Sequence, residues 1–287
     1  MVKSPASTNV KSLHPERELT EDDTFVVGDI ECLAETGEPA TGQVSIYFGS
    51  GALDFRYNLY NGKKHGLYEE FFENGDLKYW CHFRHGEKDF YDETYDKYGR
   101  LIQSNAWHQG LRHGRCESYE LGQLSAIQEF KHGKRHGVWE TYGPRKVTFF
   151  HGRFIEDEPD GWHVWRFANN KREAEYHYDK GMKTDLWRDF HSNGALKRER
   201  TYVNDQVVGE DRCYYDTGVL AFSVTYNEGR HHGFWFEYYP NGTLMRAMPY
   251  RDGELDGFER HYDRKLNIQR EVEWQEGRLR SDLNFLP

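Results

Sequence analysis

The sequence predicts an all-β fold, an elongated, single-layer, twisted antiparallel β-hairpin solenoid of about ten 24-residue repeats. Three observations lead there: a strict internal period, aromatic residues at fixed places in it, and glycine-bearing turns about every dozen residues. Units begin at Gly42, Gly66, Phe90, Gly114, Gly137, Gly161, Asp185, Gly209, Gly233 and Gly257. Every step is 24 residues except one of 23, where a residue is deleted around Leu121-Gly122. The period puts an aromatic residue at position 6 in nine of ten copies, from Tyr47 and Phe71 to Tyr238 and Tyr262. Position 18 is aromatic in nine, including Phe83, Trp107, Tyr202 and Trp274, and position 21 is Gly in eight. Asp157 and Asp205 replace that glycine in the other two.

Each unit reads as a hairpin. A first strand covers positions 2 to 7, and a turn such as Glu73-Asn74-Gly75-Asp76 follows. Asn and Gly accept the positive φ of tight turns. A second strand covers positions 12 to 18, with alternation in Leu77, Tyr79, Cys81 and Phe83 that implies one packed and one wetter face. A second glycine turn, as in Arg84-His85-Gly86-Glu87, leads into the next copy. One hairpin alone is marginal, so stacking must supply the stability. Residues 42–280 hold the ten repeats. Residues 1–19 are expected to be a disordered N-terminal segment, 20–41 an N-terminal capping β segment, and 281–287 a C-terminal capping strand. Caps protect open sheet edges.

Composition agrees with a thin fold. Mean hydropathy is −0.97, yet 8 Trp, 20 Tyr and 18 Phe make the chain 16% aromatic, which argues against disorder. A net charge of −10 opposes general affinity for nucleic acid. Cys32, Cys81, Cys116 and Cys213 form no CxxC pair and suit a reducing compartment. The N-terminus has no apolar stretch of the signal-peptide kind. No 18-residue apolar run is present. The expected location is the cytoplasm.

The unit pattern, carried by junctions such as Tyr60-Asn61-Gly62-Lys63-Lys64-His65-Gly66, Lys131-His132-Gly133-Lys134-Arg135-His136-Gly137 and Tyr226-Asn227-Glu228-Gly229-Arg230-His231-His232-Gly233, resembles the MORN-repeat family and is closest to its bacterial variant. The resemblance implies an open hairpin sheet used as a binding surface. It also implies an antitoxin-like or immunity role against a secreted toxin, with a MORN-type scaffold or phospholipid-associated protein as the alternative.

His65, His113, His136 and His232 fall at position 24. Equivalent positions in stacked hairpins lie about 10 Å apart, too far to share one ion. Carboxylate runs such as Glu156-Asp157-Glu158 read as solvated loop without a pocket, and no catalytic motif is present. The expectation is therefore a protein that is not an enzyme and takes no cofactor and no metal. Position 4 is more telling. It holds Glu69, Glu93, Glu117 and Glu140, then Arg188, Arg212 and Arg260; positions 14 and 16 add Arg198, Arg246 and Arg200. Such segregated charge suits the recognition of a protein partner, expected to be a toxin or effector, with no nucleic acid and with membrane association a lesser alternative. A solvated charged face is the competing reading. Trp139, Trp187 and Trp235 at position 3 lie on the other parity, where they serve as core or as a binding patch.

Overall fold

The computed structural model describes residues 18–285; within the expected disordered segment 1–19 only Glu18 and Leu19 lie inside that range, and they form a short strand. Among the described residues, all regular structure is strand apart from two short 3-10 turns, Glu21–Asp23 and Pro144–Lys146. The chain divides into two compact units, Met1–Trp139 and Glu140–Pro287, with the boundary inside the strand Lys134–Tyr142.

Each repeat is an antiparallel hairpin, as copy two illustrates. Its strands are Lys63–Phe71 and Leu77–Arg84, paired Tyr68 to Cys81 and Glu69 to Trp80, with a register shift at Glu70/Phe71. The first strand thus starts in the preceding junction rather than at position 2. The hairpin tip spans positions 7 to 11. The Phe72 N–H donates to the Asp76 carbonyl, and the Gly75 N–H returns to Phe72, both at 2.8 Å. Equivalent tips close at Phe48–Ala52, Asp96–Arg100, Phe167–Lys171, His191–Ala195, Tyr215–Val219, Tyr239–Thr243 and Asp263–Asn267. Copy four, with its missing residue, closes instead on Leu121-Gly122, both at positive φ, between paired Glu120 and Gln123. The deletion is absorbed by swapping one turn for a shorter one, which leaves the flanking strands intact.

The junction turns do the stacking. Tyr60 pairs with Lys63 across Asn61 and Gly62, both at positive φ. In later junctions the position 21 N–H donates to the position 23 carbonyl of the preceding copy: Gly86 to Lys64, Gly110 to Lys88 and Gly133 to Arg112 in the first unit, Gly181 to Pro159, Gly253 to His231 and Gly277 to Leu255 in the second. This bond fixes position 21 at the repeat-to-repeat contact. Asp157 and Asp205 take the same left-handed conformation, at φ 76° and 67°. At Gly62 the space is filled as well: a Cβ there would meet Ile30 Cγ2 at 2.2 Å.

The N-terminal segment seals the first hairpin. Strands Thr24–Val27 and Ile30–Leu33 form a separate two-stranded hairpin, and Glu18–Leu19 pairs in parallel with Gly42–Tyr47. Leu19, Ala40, Val44, Tyr57 and Leu59 close into an apolar cluster. At the other end, Arg278–Asn284 pairs with Ile268–Gln275. The remaining core is a seam of rings and ions rather than an aliphatic block.

Candidate functional site

Hydrogen-bond register, not sequence spacing, decides what each charged residue meets. Position 4 residues sit on alternate strands, so a position 15 residue lies between each pair. In the first unit the row runs Ser45, Arg56, Glu69, Trp80, Glu93, Ser104, Glu117, Ile127. Arg56 reaches Glu69 at 2.5 Å, and Glu69 is buried. Beyond it the spacers are uncharged. Glu93 accepts bonds from Trp80 Nε1 at 2.9 Å and from the Tyr95 hydroxyl. Glu117 accepts from Tyr119 at 2.5 Å and is met by Arg115 at 2.6 Å. The Tyr119 bond, with Arg115 beside it, holds Glu117 below the usual carboxylate range. Burial and the same type of bond push the Tyr95 phenol up to about 12. On this face Tyr91 is 53% exposed. The result is an acidic row with held carboxylates and an exposed ring beside it.

The second unit has the same row with different spacers: Val164, Glu175, Arg188, Glu199, Arg212, then Ser223, Phe236, Ala247, Arg260, Glu271. Arg188 lies 3.0 Å from Glu175 and 4.0 Å from Glu199; Arg212 is 3.6 Å from Glu199, and Arg260 is 2.7 Å from Glu271. What position 4 alone presents as a basic stripe is an alternating ladder of paired charges. Glu140, at the start of this unit, bonds the Tyr142 hydroxyl and His151 Nδ1, the latter at 2.7 Å.

Arg198, Arg200 and Arg246 lie on the other face. Position 14 pairs with position 5 and position 16 with position 3, as in Arg198 with Asp189 and Arg200 with Trp187. The ten candidate residues are therefore not one surface. Arg198 clamps Asp211, which is 1% exposed, through two bonds of 2.8 and 2.6 Å. Arg246 bonds Glu237 at 2.8 Å and lies 3.8 Å from Glu259. Arg200 lies 3.8 Å from Asp189. These are packing contacts of the second unit.

This face also carries a pattern that sequence reasoning missed. Position 23 is repeatedly a cation laid over rings. Lys64 Nζ is 4.8 Å from the Tyr57 ring centre and 4.7 Å from that of Tyr68. Lys88 covers Trp107 and Tyr79, Arg112 covers Phe130, Arg135 covers Trp139, and Lys183 covers Trp187 and Tyr202. Such contacts gain strength when water is excluded. At the same place His231 packs among Tyr226, Trp235 and Tyr250, and burial lowers its pKa. Where position 23 is Val207 or Leu255, the next position 3 is an acid, Asp211 or Glu259, and an arginine from the preceding position 14 comes to it. Asp92 is also buried, held by Asn105 at 2.7 Å, Trp107 at 2.9 Å, and Lys88 and Tyr79 at 3.2 Å. The signal is present in the sequence as Lys or Arg one residue before position 24, at Lys64, Lys88, Arg112, Arg135 and Lys183.

Of those histidines, His65 rests on His85 with centres 5.2 Å apart, and His113 rests on His132 at 4.9 Å. The His113 Nδ1 accepts the His132 N–H at 3.4 Å, which leaves the proton of the neutral ring on Nε2. Trp187, one of the position 3 tryptophans, is only 5% exposed and stacks on Tyr176 at 4.1 Å. Among the described residues no group of three or more His, Cys, Asp or Glu is arranged to hold a metal, and no helix is long and apolar enough to cross a membrane.

The model of a MORN repeat variant matches three segments, residues 64–85, 186–204 and 232–252. Each contains a position 3 to 6 strand start or a junction turn of the kind just described. These three segments are MORN-variant repeats. No curated protein matches the sequence. Among solved structures, the crystal structure of TcdB2-TccC3-TEV is 10% identical, with 85% of this chain and 14% of that chain covered and a TM-score of 0.19. That of TcdB2-TccC3 is 11% identical, with 80% and 15% covered and a TM-score of 0.15. The chain thus spans about a seventh of the length of either. The acidic row of the first unit is the candidate binding surface.

Proposed function

We propose that this protein is a non-catalytic binder that occludes a toxic effector enzyme, in the manner of an immunity or antitoxin protein of the cytoplasm. The observation that carries the binding part is the pair Glu93 and Glu117 of the first unit, with uncharged Ser104 as spacer and exposed Tyr91 alongside; Glu69, in the same row, is buried against Arg56. Carboxylates spaced two strands apart, about 10 Å, and fixed by tyrosine and tryptophan donors suit a basic protein surface. An aromatic residue at the edge of such a row supplies the apolar anchor common at interfaces. The toxin-blocking role rests on the family resemblance of the repeats.

A lipid-binding scaffold is the second reading. It needs free basic groups, and the arginines of position 4 in the second unit are laddered with Glu175, Glu199 and Glu271. That pairing favours the protein partner.

The test is capture from the native lysate with the wild-type chain and with a Glu93→Lys, Glu117→Lys variant. The expected outcome is one enzyme captured by the wild type in stoichiometric amount and silenced by it, with capture at least tenfold weaker by the folded variant. Equal capture by both sinks the acidic row. A captured partner whose activity is untouched sinks the toxin-blocking role and keeps the scaffold.

A further inference from the structure

A cleft on the opposite face of the second unit has the chemistry of a receptor for a guanidinium group. The row at positions 5 and 14 runs Phe150, Trp165, Ala174, Asp189, Arg198, Cys213, Phe222, Glu237, Arg246, His261, Arg270. Position 14 is an arginine in three of these copies, and each arginine finds a carboxylate. Arg198 binds Asp211 and lies 5.4 Å over the Phe222 ring; Arg246 binds Glu237; Arg270 binds Asp282 at 2.8 and 2.7 Å. At Ala174 the side chain ends at Cβ. Its row neighbours are Trp165 on one side and Asp189 on the other.

The missing side chain leaves a cleft of about 400 Å³. Its walls are the rings of Trp165, Phe167, Tyr176 and Phe190, and Glu173 and Asp189 supply negative charge. Trp165 and Tyr176 stand 5.1 Å apart at 53°, and Tyr176 is backed by Trp187, so the walls are stiff. The Tyr176 hydroxyl donates to Asp189 Oδ1, which orients that carboxylate. Two cations are near. Arg200 lies 3.8 Å from Asp189, beyond direct hydrogen bonding, and Lys197 lines the cleft. Arg200 lies over the Tyr202 ring, 5.7 Å from its centre.

We infer that this cleft takes the side chain of an arginine presented by a protein partner. The guanidinium plane would stack on Trp165 and bond edge-on to the acids, the arrangement this sheet already makes with its own Arg198. Planar stacking together with carboxylate bonding selects arginine over lysine. The inference does not rest on the acidic row of the first unit, which lies on other residues and another face.

The experiment uses the full chain with its alanine methyl groups isotopically labelled for NMR. The probes are a capped Gly-Arg-Gly peptide, the same peptide with citrulline, and free arginine. The expected result is a saturable shift of the Ala174 methyl with the arginine peptide, at least tenfold weaker with citrulline. Glu173→Lys on the exposed rim should weaken that shift at least fivefold, and Ala174→Arg, which copies Arg198, Arg246 and Arg270 of this register and removes the reporter methyl, should abolish binding of the arginine peptide in titration calorimetry. No saturable shift at Ala174, equal binding of citrulline, or full binding by the folded Glu173→Lys variant overturns the inference. Tighter binding of free arginine than of the peptide overturns the choice of a partner's side chain and points to a small-molecule ligand.

Discussion

The two units use one backbone pattern to opposite electrostatic ends. In the first, the position 4 glutamates Glu69, Glu93 and Glu117 are separated by uncharged Trp80 and Ser104, so like charge recurs along the row. In the second, Glu175 and Glu199 flank Arg188, Glu199 separates it from Arg212, and Arg260 pairs with Glu271, so each arginine meets a glutamate on a neighbouring strand. A ladder of paired ions is satisfied within the fold and presents little net field. In the first unit Arg56 pairs with Glu69 and Arg115 meets Glu117, while Glu93 is held by the neutral donors Trp80 and Tyr95, so the row keeps negative charge for something outside. The difference lies in positions 4 and 15 taken together.

The largest effect that would sharpen this comparison comes from the buried pair behind the ladder. Arg198→Ala leaves Asp211 in the core without its counterion. The expected loss is about 2–3 kcal/mol in urea unfolding, at the low end for a buried pair because Arg198 is partly exposed. The double variant with Asp211→Ala should recover part of that loss; a double variant no more stable than Arg198→Ala would show that the pair is not coupled.

Exchanging the spacers breaks the comparison directly. Glu199→Arg sets three arginines in adjacent strands and should cost about 0.5–1 kcal/mol. Ser104→Arg places a cation between Glu93 and Glu117 and should stabilise by a few tenths of a kcal/mol. It should also weaken capture of the partner. The same sign of stability change for both substitutions would refute the account of the two rows.

The smallest effect concerns pH. Burial lowers the His231 pKa below 6.5, so in that window the unfolded chain binds the proton that the folded chain refuses. Stability therefore falls as pH drops through about 6.5 and levels off below the folded value. His231→Lys, which restores the cation found at Lys64 and Lys183, should reduce the fall in melting temperature between pH 7 and pH 5. An unchanged slope would assign it to other groups, such as His65 and His113, whose pKa values are also lowered by burial.

The hairpins, their period and their turns were legible in the sequence because each is set by local chemistry. Gly86 and Gly110 mark left-handed turn positions whatever surrounds them, and the alternation of Leu77, Tyr79, Cys81 and Phe83 sets the facing of a strand. Position 4 was legible as a charge pattern too. Its meaning was not, because spacing along the chain does not say which residue sits on the strand between. Only the register put Glu199 between Arg188 and Arg212, sent Arg198 to the opposite face and onto Asp211, and left Ala174 as a gap between Trp165 and Asp189. Sequence by itself determined the repeat and its polarity of faces, since both follow from backbone geometry at a fixed period. The tertiary structure alone decided which charges are spent inside the fold and which remain for a partner, since that depends on distances of 3 to 4 Å between residues a dozen or more positions apart.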